Sequence, residues 1–124
     1  LEMAAGLIVD HFLKTYGEIP NLSRALYEYA TRAPQAPESK ELAERRYEQY
    51  AFLLDALMSF RSEITHADPR RAVELAVYFM VVVCRNRLLY PLAPQTRMMR
   101  LSRGELKREL VLQLVGYLRQ READ

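Results

Sequence analysis

The sequence predicts an all-α fold of about five helices, in a single domain that spans residues 1–124. Between its few glycines and prolines, apolar residues recur at intervals of three or four, which is the spacing of amphipathic helices. No segment shows the strict alternation of apolar and polar residues that a half-buried strand requires. Two explicit helix-start signals support this interpretation: Asp68 before Pro69, and Ser102 three residues before Glu105.

The first half of the chain predicts three helices. The first covers roughly residues 3–17, where Gly17 and then Pro20 end the pattern. The second covers about residues 21–32 and carries one apolar side, formed by Leu22, Ala25, Leu26, Tyr29 and Ala30. The third begins near Pro37, because proline suits a first helical turn, and continues to about residue 64.

The second half predicts two further helices. The fourth begins at Pro69 and ends near Tyr90. Residues 91–101 contain two prolines and are expected to form a loop. The fifth follows Ser102, whose side chain can form a capping box with Glu105, and it ends near residue 119.

The fourth predicted helix is apolar over about 220° of its circumference, whereas one core contact needs roughly 100°. Two adjacent lines account for most of this arc: Ala72, Ala76, Phe79 and Val83, and then Val73, Val77, Met80 and Cys84. An arc this wide implies two burial surfaces. One is the core of the domain, and the other is either a second layer of helices in the same chain or a partner.

The fifth predicted helix is also apolar beyond what one contact needs, and Leu112 lies on a further side next to Gly116. Two consecutive helices of this kind favour a symmetric homodimer in which each chain contributes both helices to a four-helix bundle. We therefore predict a dimer interface formed by Val73, Val77, Val81, Cys84, Leu88, Leu110, Val111, Leu114 and Leu118.

Composition excludes several classes of protein. A net charge of +2 is too small to indicate nucleic-acid binding along the chain. The apolar run at residues 75–84 is about half the length of a membrane span, so no membrane partner is expected. A single cysteine, Cys84, and the absence of a signal peptide favour a cytoplasmic location. Because the chain starts at Leu1 and Glu2, it is expected to be a processed form or a piece of a longer protein.

Catalytic motifs are not found. There is no glycine-rich phosphate loop, nucleophile elbow or HExxH sequence. His11 and His66 have no metal-ligating partner at helical spacing, and Cys84 has no local base. We therefore predict no enzyme activity, no catalytic residue, no metal and no cofactor.

Tyrosine is unusually frequent, with eight residues in the chain, and it combines an apolar ring with an orienting hydroxyl. For any single tyrosine, a boundary residue with a hydrated hydroxyl is the favoured interpretation. We place a ligand cavity between the first three helices and the inner side of the fourth, with these candidate lining residues: Phe12, Tyr16, Tyr47, Tyr50, Leu54, Met58, Phe79 and Met80. Arg85 and Arg87 begin a basic region that is either a hydrated rim or a contact for an acidic ligand or a neighbouring domain.

Two segments, "HADPRRAVELAVYFMVVVCRNRLLYP" and "LSRGELKRELVLQLVGYL", resemble the C-terminal regulatory domain of tetracycline-repressor (TetR) family transcription factors. The resemblance covers about residues 7–119 and consists of helix lengths and helix caps. It implies an all-helical homodimer in which the helices at 69–90 and 102–119 form the four-helix bundle. It also implies that the earlier helices enclose a small effector, and that an N-terminal helix-turn-helix head reads DNA.

The head has no counterpart in this sequence, since nothing before Leu7 could form it. The expected partners are therefore a second copy of the chain and a small-molecule effector of unknown identity, with DNA bound only through a head that is absent here. The alternative is a helical module for protein interaction or dimerisation that has no ligand cavity.

Overall fold

A computed structural model of the chain describes residues 1–90 and 97–120. Within these ranges the structure contains α-helices and no β-strand, as the sequence predicts. Residues 91–96 of the predicted loop lie outside the described residues. The helices are α1 (Glu2–Glu18), α2 (Pro20–Arg32), α3 (Pro37–Met58), α4 (Pro69–Leu89) and α5 (Arg103–Leu118), and a short 3-10 turn at Arg61–Glu63 follows α3.

Both predicted helix starts are confirmed. The Asp68 carboxylate accepts a hydrogen bond from the backbone N–H of Arg71 at 3.2 Å, at the first turn of α4. The Ser102 hydroxyl accepts one from the backbone N–H of Glu105, also at 3.2 Å. Each bond satisfies a donor that the helix itself leaves free, which typically stabilises a helix by about 1 kcal/mol.

The third helix ends earlier than predicted, at Met58 instead of near residue 64. The Ser59 hydroxyl donates to the Ala56 carbonyl at 2.6 Å, which offers the backbone an alternative to further helix. The chain then turns and places Ile64 in extended conformation with its side chain in the core. Beyond it, the backbone N–H of Thr65 donates to the carbonyl of Leu118 at 3.1 Å, which ties this turn to the end of α5.

The core is formed chiefly by α1, α4 and α5, and α4 packs against each of the other four helices. Helix α1 contributes Ala5, Ile8, Val9, Phe12 and Leu13. Helix α5 contributes Leu106, Leu110, Leu114, Val115 and Leu118. The largest share comes from α4, with Ala72, Val73, Ala76, Val77, Met80, Val81, Cys84 and Leu89.

Helix α2 is attached differently. None of its thirteen residues, all of which the structure describes, is fully buried. Its apolar side faces outward, with Leu22 54% exposed and Leu26 and Tyr29 also exposed. The residues that turn toward the body of the protein are largely polar, and they include Arg24, Tyr27 and Glu28.

Candidate functional site

Three of the predicted lining residues meet in one aromatic cluster between α1 and α3. The ring of Phe12 lies 6.4 Å from that of Tyr16, and 5.9 Å from that of Tyr50. Burial raises the pKa of the Tyr16 hydroxyl to about 12, and its neighbour Tyr50 adds to the rise. At these spacings the rings contact one another, so no ligand fits between them.

The other predicted lining residues divide into two groups. Leu54 and Met58 pack half-buried against the core, and Met80 is buried within it. Tyr47 is 73% exposed and Phe79 is 55% exposed, so neither lines an enclosed space in the single chain, and their role in ligand binding stays a prediction. Phe79 is exposed because α1 and α5 cover a neighbouring side of α4, and its ring instead meets that of Tyr78 edge-on at 5.9 Å.

A second cluster joins α2 to the C-terminal half of α4, and we call it the α2–α4 polar cluster: Arg24, Tyr27, Glu28, Arg85 and Tyr90. The guanidinium of Arg85 lies 4.3 Å from the ring centre of Tyr27. The rings of Tyr27 and Tyr90 meet at 6.4 Å, and the guanidinium of Arg24 lies 6.0 Å from the ring centre of Tyr90. These are cation–π distances, which stabilise a charge near an aromatic face.

Among the residues that the structure describes, the arginines of the α2–α4 polar cluster have no anionic partner. Within residues 1–90 and 97–120, the Nε atoms of Arg24 and Arg85 are buried without a hydrogen-bond acceptor, and neither side chain forms an ion pair. The hydroxyl of Tyr90 donates to the Glu28 carboxylate at 3.4 Å. Removal from water and then the nearby Glu28 charge raise the pKa of Tyr90.

An open groove borders this cluster. It has a volume of about 360 Å³ and is lined by Tyr27, Glu28, Thr31, Arg32 and Tyr90. Ligand pockets begin at roughly this size, at about 300 Å³. The groove can therefore admit one small molecule beside the two tyrosines, whose rings meet edge-on.

Sequence reasoning missed Arg24, Tyr27 and Tyr90 as site residues. The two α2 residues fall opposite the apolar side of that helix, and the polar side of an amphipathic helix normally faces water. The available signal was the combination of frequent tyrosines with Arg85 at the end of an apolar run. That signal does not predict how α2 is rotated about its own axis, and this rotation decides which of its residues face α4.

The residues predicted for the dimer interface lie inside the chain's own core. Val73, Val77, Val81, Cys84, Leu110, Leu114 and Leu118 are all buried within the single chain, and their assignment to a dimer interface stays a prediction. Val111 and Leu88 are half-buried against the same core. The reason is that α1 and α5 cover the side of α4 that the sequence left open to a partner.

A different apolar surface is exposed, and we call it the outer face: Leu75, Tyr78, Phe79 and Val82 of α4, with Gln113 and Gly116 of α5. Tyr78 and Phe79 are both more than half exposed, and Phe79 borders a small cleft beside Gln113. Within the described residues, a Cβ atom added to Gly116 would meet nothing within 4 Å. Glycine at this position destabilises α5 by about 1 kcal/mol relative to alanine, and no contact among the described residues requires a glycine there.

A wide groove of about 570 Å³ lies on the other side of α5, against α1. Met3, Leu7 and Leu112 are exposed in it, and an ion pair between Asp10 and Lys107 crosses beside them at 2.7 Å. This groove extends the exposed apolar surface of α5 beyond the outer face.

Residues with catalytic or metal-binding chemistry are dispersed. His11 contacts Gln49, with 3.3 Å between their Nε2 atoms, and His66 accepts a hydrogen bond from the backbone N–H of Asp68 at 3.2 Å. Burial raises the pKa of Cys84 to about 12, so its thiol stays protonated at neutral pH. In the part of the chain that the structure describes, no three His, Cys, Asp or Glu side chains could hold a metal ion, and no helix is long and apolar enough to cross a membrane.

Comparison with known proteins identifies one family. Residues 1–118 match the family described as tetracyclin repressor-like, C-terminal domain. No curated protein and no solved structure matches the chain. The family match covers nearly the whole sequence and agrees with the all-helical architecture.

Proposed function

The chain belongs to the tetracyclin repressor-like C-terminal domain family and is a regulatory domain of that type, and from this premise we propose that it homodimerises and binds a small effector. The dimer would form through the outer face, which replaces the interface predicted from the sequence. Effector binding would change the relative position of the two chains. DNA would be contacted only by a head that lies outside residues 1–124.

The observation that carries the dimerisation proposal is the exposure of Tyr78 and Phe79 side by side on α4. Large adjacent apolar side chains on a helix surface typically mark an association site. Gly116 supports the proposal, since the open space above it allows a second helix to approach α5 closely. A two-fold axis through this surface would bring α4 and α5 of both chains into one four-helix bundle.

Helix α4 supports a link between effector and dimer, because it takes part in both surfaces. Its middle carries the outer face, and its C-terminal half carries Arg85 and leads to Tyr90 in the α2–α4 polar cluster. A ligand shifts an equilibrium between two shapes only by its different affinity for them. A ligand that repositions the end of α4 would thereby favour one arrangement of the paired helices.

Analytical ultracentrifugation tests the dimer. We expect the wild-type chain to sediment at twice its 14.5 kDa mass at micromolar concentration. Tyr78→Arg and Phe79→Arg should shift it to the monomer while helicity by circular dichroism is kept, because both side chains are already exposed. Phe52→Arg is the control, since Phe52 is an exposed aromatic residue of α3, a helix that contributes no residue to the outer face. A monomeric wild-type chain, or equal effects of all three variants, would contradict the proposal.

One observation favours a second candidate, a module that docks a partner protein. The exposed apolar side of α2, with Leu22, Leu26 and Tyr29 at helical spacing, is the kind of surface that fits a hydrophobic groove. This candidate predicts that Leu26→Arg abolishes function in the parent protein while ligand binding and dimerisation are unchanged. The effector-binding proposal predicts the reverse, with function lost through Arg85.

A further inference from the structure

We infer that the α2–α4 polar cluster binds an organic anion, with Arg24 and Arg85 holding its acidic group and Tyr27 and Tyr90 contacting a flat apolar body. The inference rests on the proposed effector binding and gives the effector a chemical class. It also moves the site from the Phe12–Tyr16–Tyr50 cluster to the boundary between α2 and α4.

The orientation of α2 is the first argument. This helix turns Leu22, Leu26 and Tyr29 outward and turns Arg24, Tyr27 and Glu28 toward the protein. The reverse orientation would remove more apolar surface from water, which is the dominant favourable contribution in folding. A helix held with its polar side inward therefore lines a space whose chemistry is polar.

The second argument is the state of the two guanidinium groups. Burying part of a charged group is unfavourable unless an opposite charge or hydrogen bonds compensate for it. For Arg24, the compensation within the described residues is a hydrogen bond to Asn21 at 3.2 Å and the ring of Tyr90. For Arg85 it is the ring of Tyr27, and the Nε atoms of both arginines are left free. An acidic ligand beside the two guanidinium groups would supply the missing opposite charge, whereas the buried Nε atoms themselves are closed to it.

The surrounding charges favour an anion. Arg46 and Arg85 both oppose the rise in the pKa of Tyr16, so both positive charges lie near its hydroxyl. Glu28 is the acidic residue within the cluster, and its carboxylate already accepts a hydrogen bond from Tyr90. The cluster therefore holds two guanidinium groups, those of Arg24 and Arg85, against one carboxylate, and Arg46 adds a positive charge near Tyr16.

The geometry also specifies the shape of the ligand. A guanidinium that lies over an aromatic ring directs its N–H groups along its own plane, where a carboxylate or sulfonate can accept two of them. Tyr27 and Tyr90 line the adjacent groove of about 360 Å³, and their rings can contact an apolar body. A simple inorganic anion would use the arginines and leave these rings without a partner.

Fluorescence titration of the full chain with two matched probes tests the inference. One probe is 8-anilinonaphthalene-1-sulfonate, and the other is N-phenyl-1-naphthylamine, which has the same rings and no charge. We expect the sulfonate to bind at least about tenfold more tightly than the neutral probe. Sodium 1-naphthoate should displace it, and inorganic phosphate at the same concentration should not.

Arginine variants assign the effect to this cluster. Arg85→Gln and, independently, Arg24→Gln should reduce the preference for the sulfonate to less than about twofold. Arg61→Gln is the control, since Arg61 is an exposed arginine of the 3-10 turn outside the cluster. Thermal unfolding of each variant shows whether it is folded. If Arg85→Gln does not fold, the probe affinities of Arg24→Gln test the inference.

Three results would overturn the inference. If the two probes bind with equal affinity and the variants do not change it, the ligand need not be an anion, although the protein would still bind an effector. If phosphate displaces the sulfonate probe as effectively as naphthoate does, the claim that the ligand carries a flat apolar body is wrong. If neither probe binds, both the site and the proposed effector binding are contradicted. The sedimentation test of the dimer is independent of this result.

Discussion

The layer formed by α1, α4 and α5 and the layer formed by α2 and α3 are built on different principles. The first layer supplies most of the buried side chains, in regular lines along each helix. In the second, α2 has no fully buried residue among those described, and α3 has two, Ser39 and Leu57. The difference indicates that most of the stability resides in the first layer, whereas in the second layer α3 adds Leu57 to the core and α2 turns polar groups inward.

Helix α4 of the first layer also contacts both helices of the second, which bears on the width of its apolar arc. The side with Val73, Val77 and Cys84 is enclosed by its own chain. The side with Tyr78 and Phe79 is exposed. The C-terminal half of α4 contacts α2 through Arg85, which lies over the ring of Tyr27. The arc therefore includes one side that the chain itself encloses and one side that it leaves exposed, and the second burial surface stays a prediction.

The largest expected contrast between the layers comes from truncating one leucine in each. Leu13→Ala leaves a void in a fully buried site of α1 and should lower the free energy of unfolding by about 2–5 kcal/mol. Leu26→Ala, on the exposed side of α2, should change it by less than about 0.5 kcal/mol. Urea denaturation measures both, and equal losses would show that the two layers do not differ in this way.

Alkaline pH should weaken the junction between the layers. In the unfolded chain Tyr16 ionises near pH 10, whereas in the folded chain its pKa is about 12, so folding favours the protonated form. Stability that is fully present below pH 10 should therefore be lost as the pH rises toward 12. Tyr16→Phe should flatten this loss. A Cys84→Ala background removes a second buried group with a pKa of about 12, and an unchanged slope would contradict the account.

Substitutions at two glycines distinguish a helix surface that stays exposed from one that contacts a partner. An alanine Cβ at Gly6 of α1 would meet nothing within 4 Å in the described chain, so Gly6→Ala should stabilise the protein by about 0.5–1 kcal/mol. Gly116→Ala should give a similar gain only in the monomer. Thermal unfolding at two protein concentrations measures this, and an equal gain for both variants in the dimer would argue against a helix approaching Gly116.

The smallest effect should come from the ion pairs that join the ends of the first layer. Glu63 accepts from Arg119 at 3.1 Å and from the N-terminal amino group of Leu1 at 3.3 Å, and Arg119 also pairs with Glu2. The side chains of Glu63, Arg119 and Glu2 are 39–59% exposed, so Glu63→Gln should cost about 0.5 kcal/mol. The loss should shrink at 1 M salt, and a loss insensitive to salt would point to packing instead of charge.

The features predicted correctly from sequence are those determined locally. Asp68 and Ser102 form the predicted caps because their partners are three residues away. Helical periodicity also places residues such as Val73 and Val77 on one side, but it does not say whether a neighbour in the chain or a partner covers that side. The site beside Tyr27 depends on how α2 is turned, which is decided by contacts distant in sequence.

Amide hydrogen exchange of the wild-type chain tests most directly whether the two layers have separate functions. We expect a higher protein concentration to raise protection in α4 and α5, where the outer face lies. We expect 8-anilinonaphthalene-1-sulfonate to raise protection in α2 and in the last turns of α4. Protection that rises uniformly under both conditions, or only in α2 on concentration and only in α5 on adding the anion, would contradict the account.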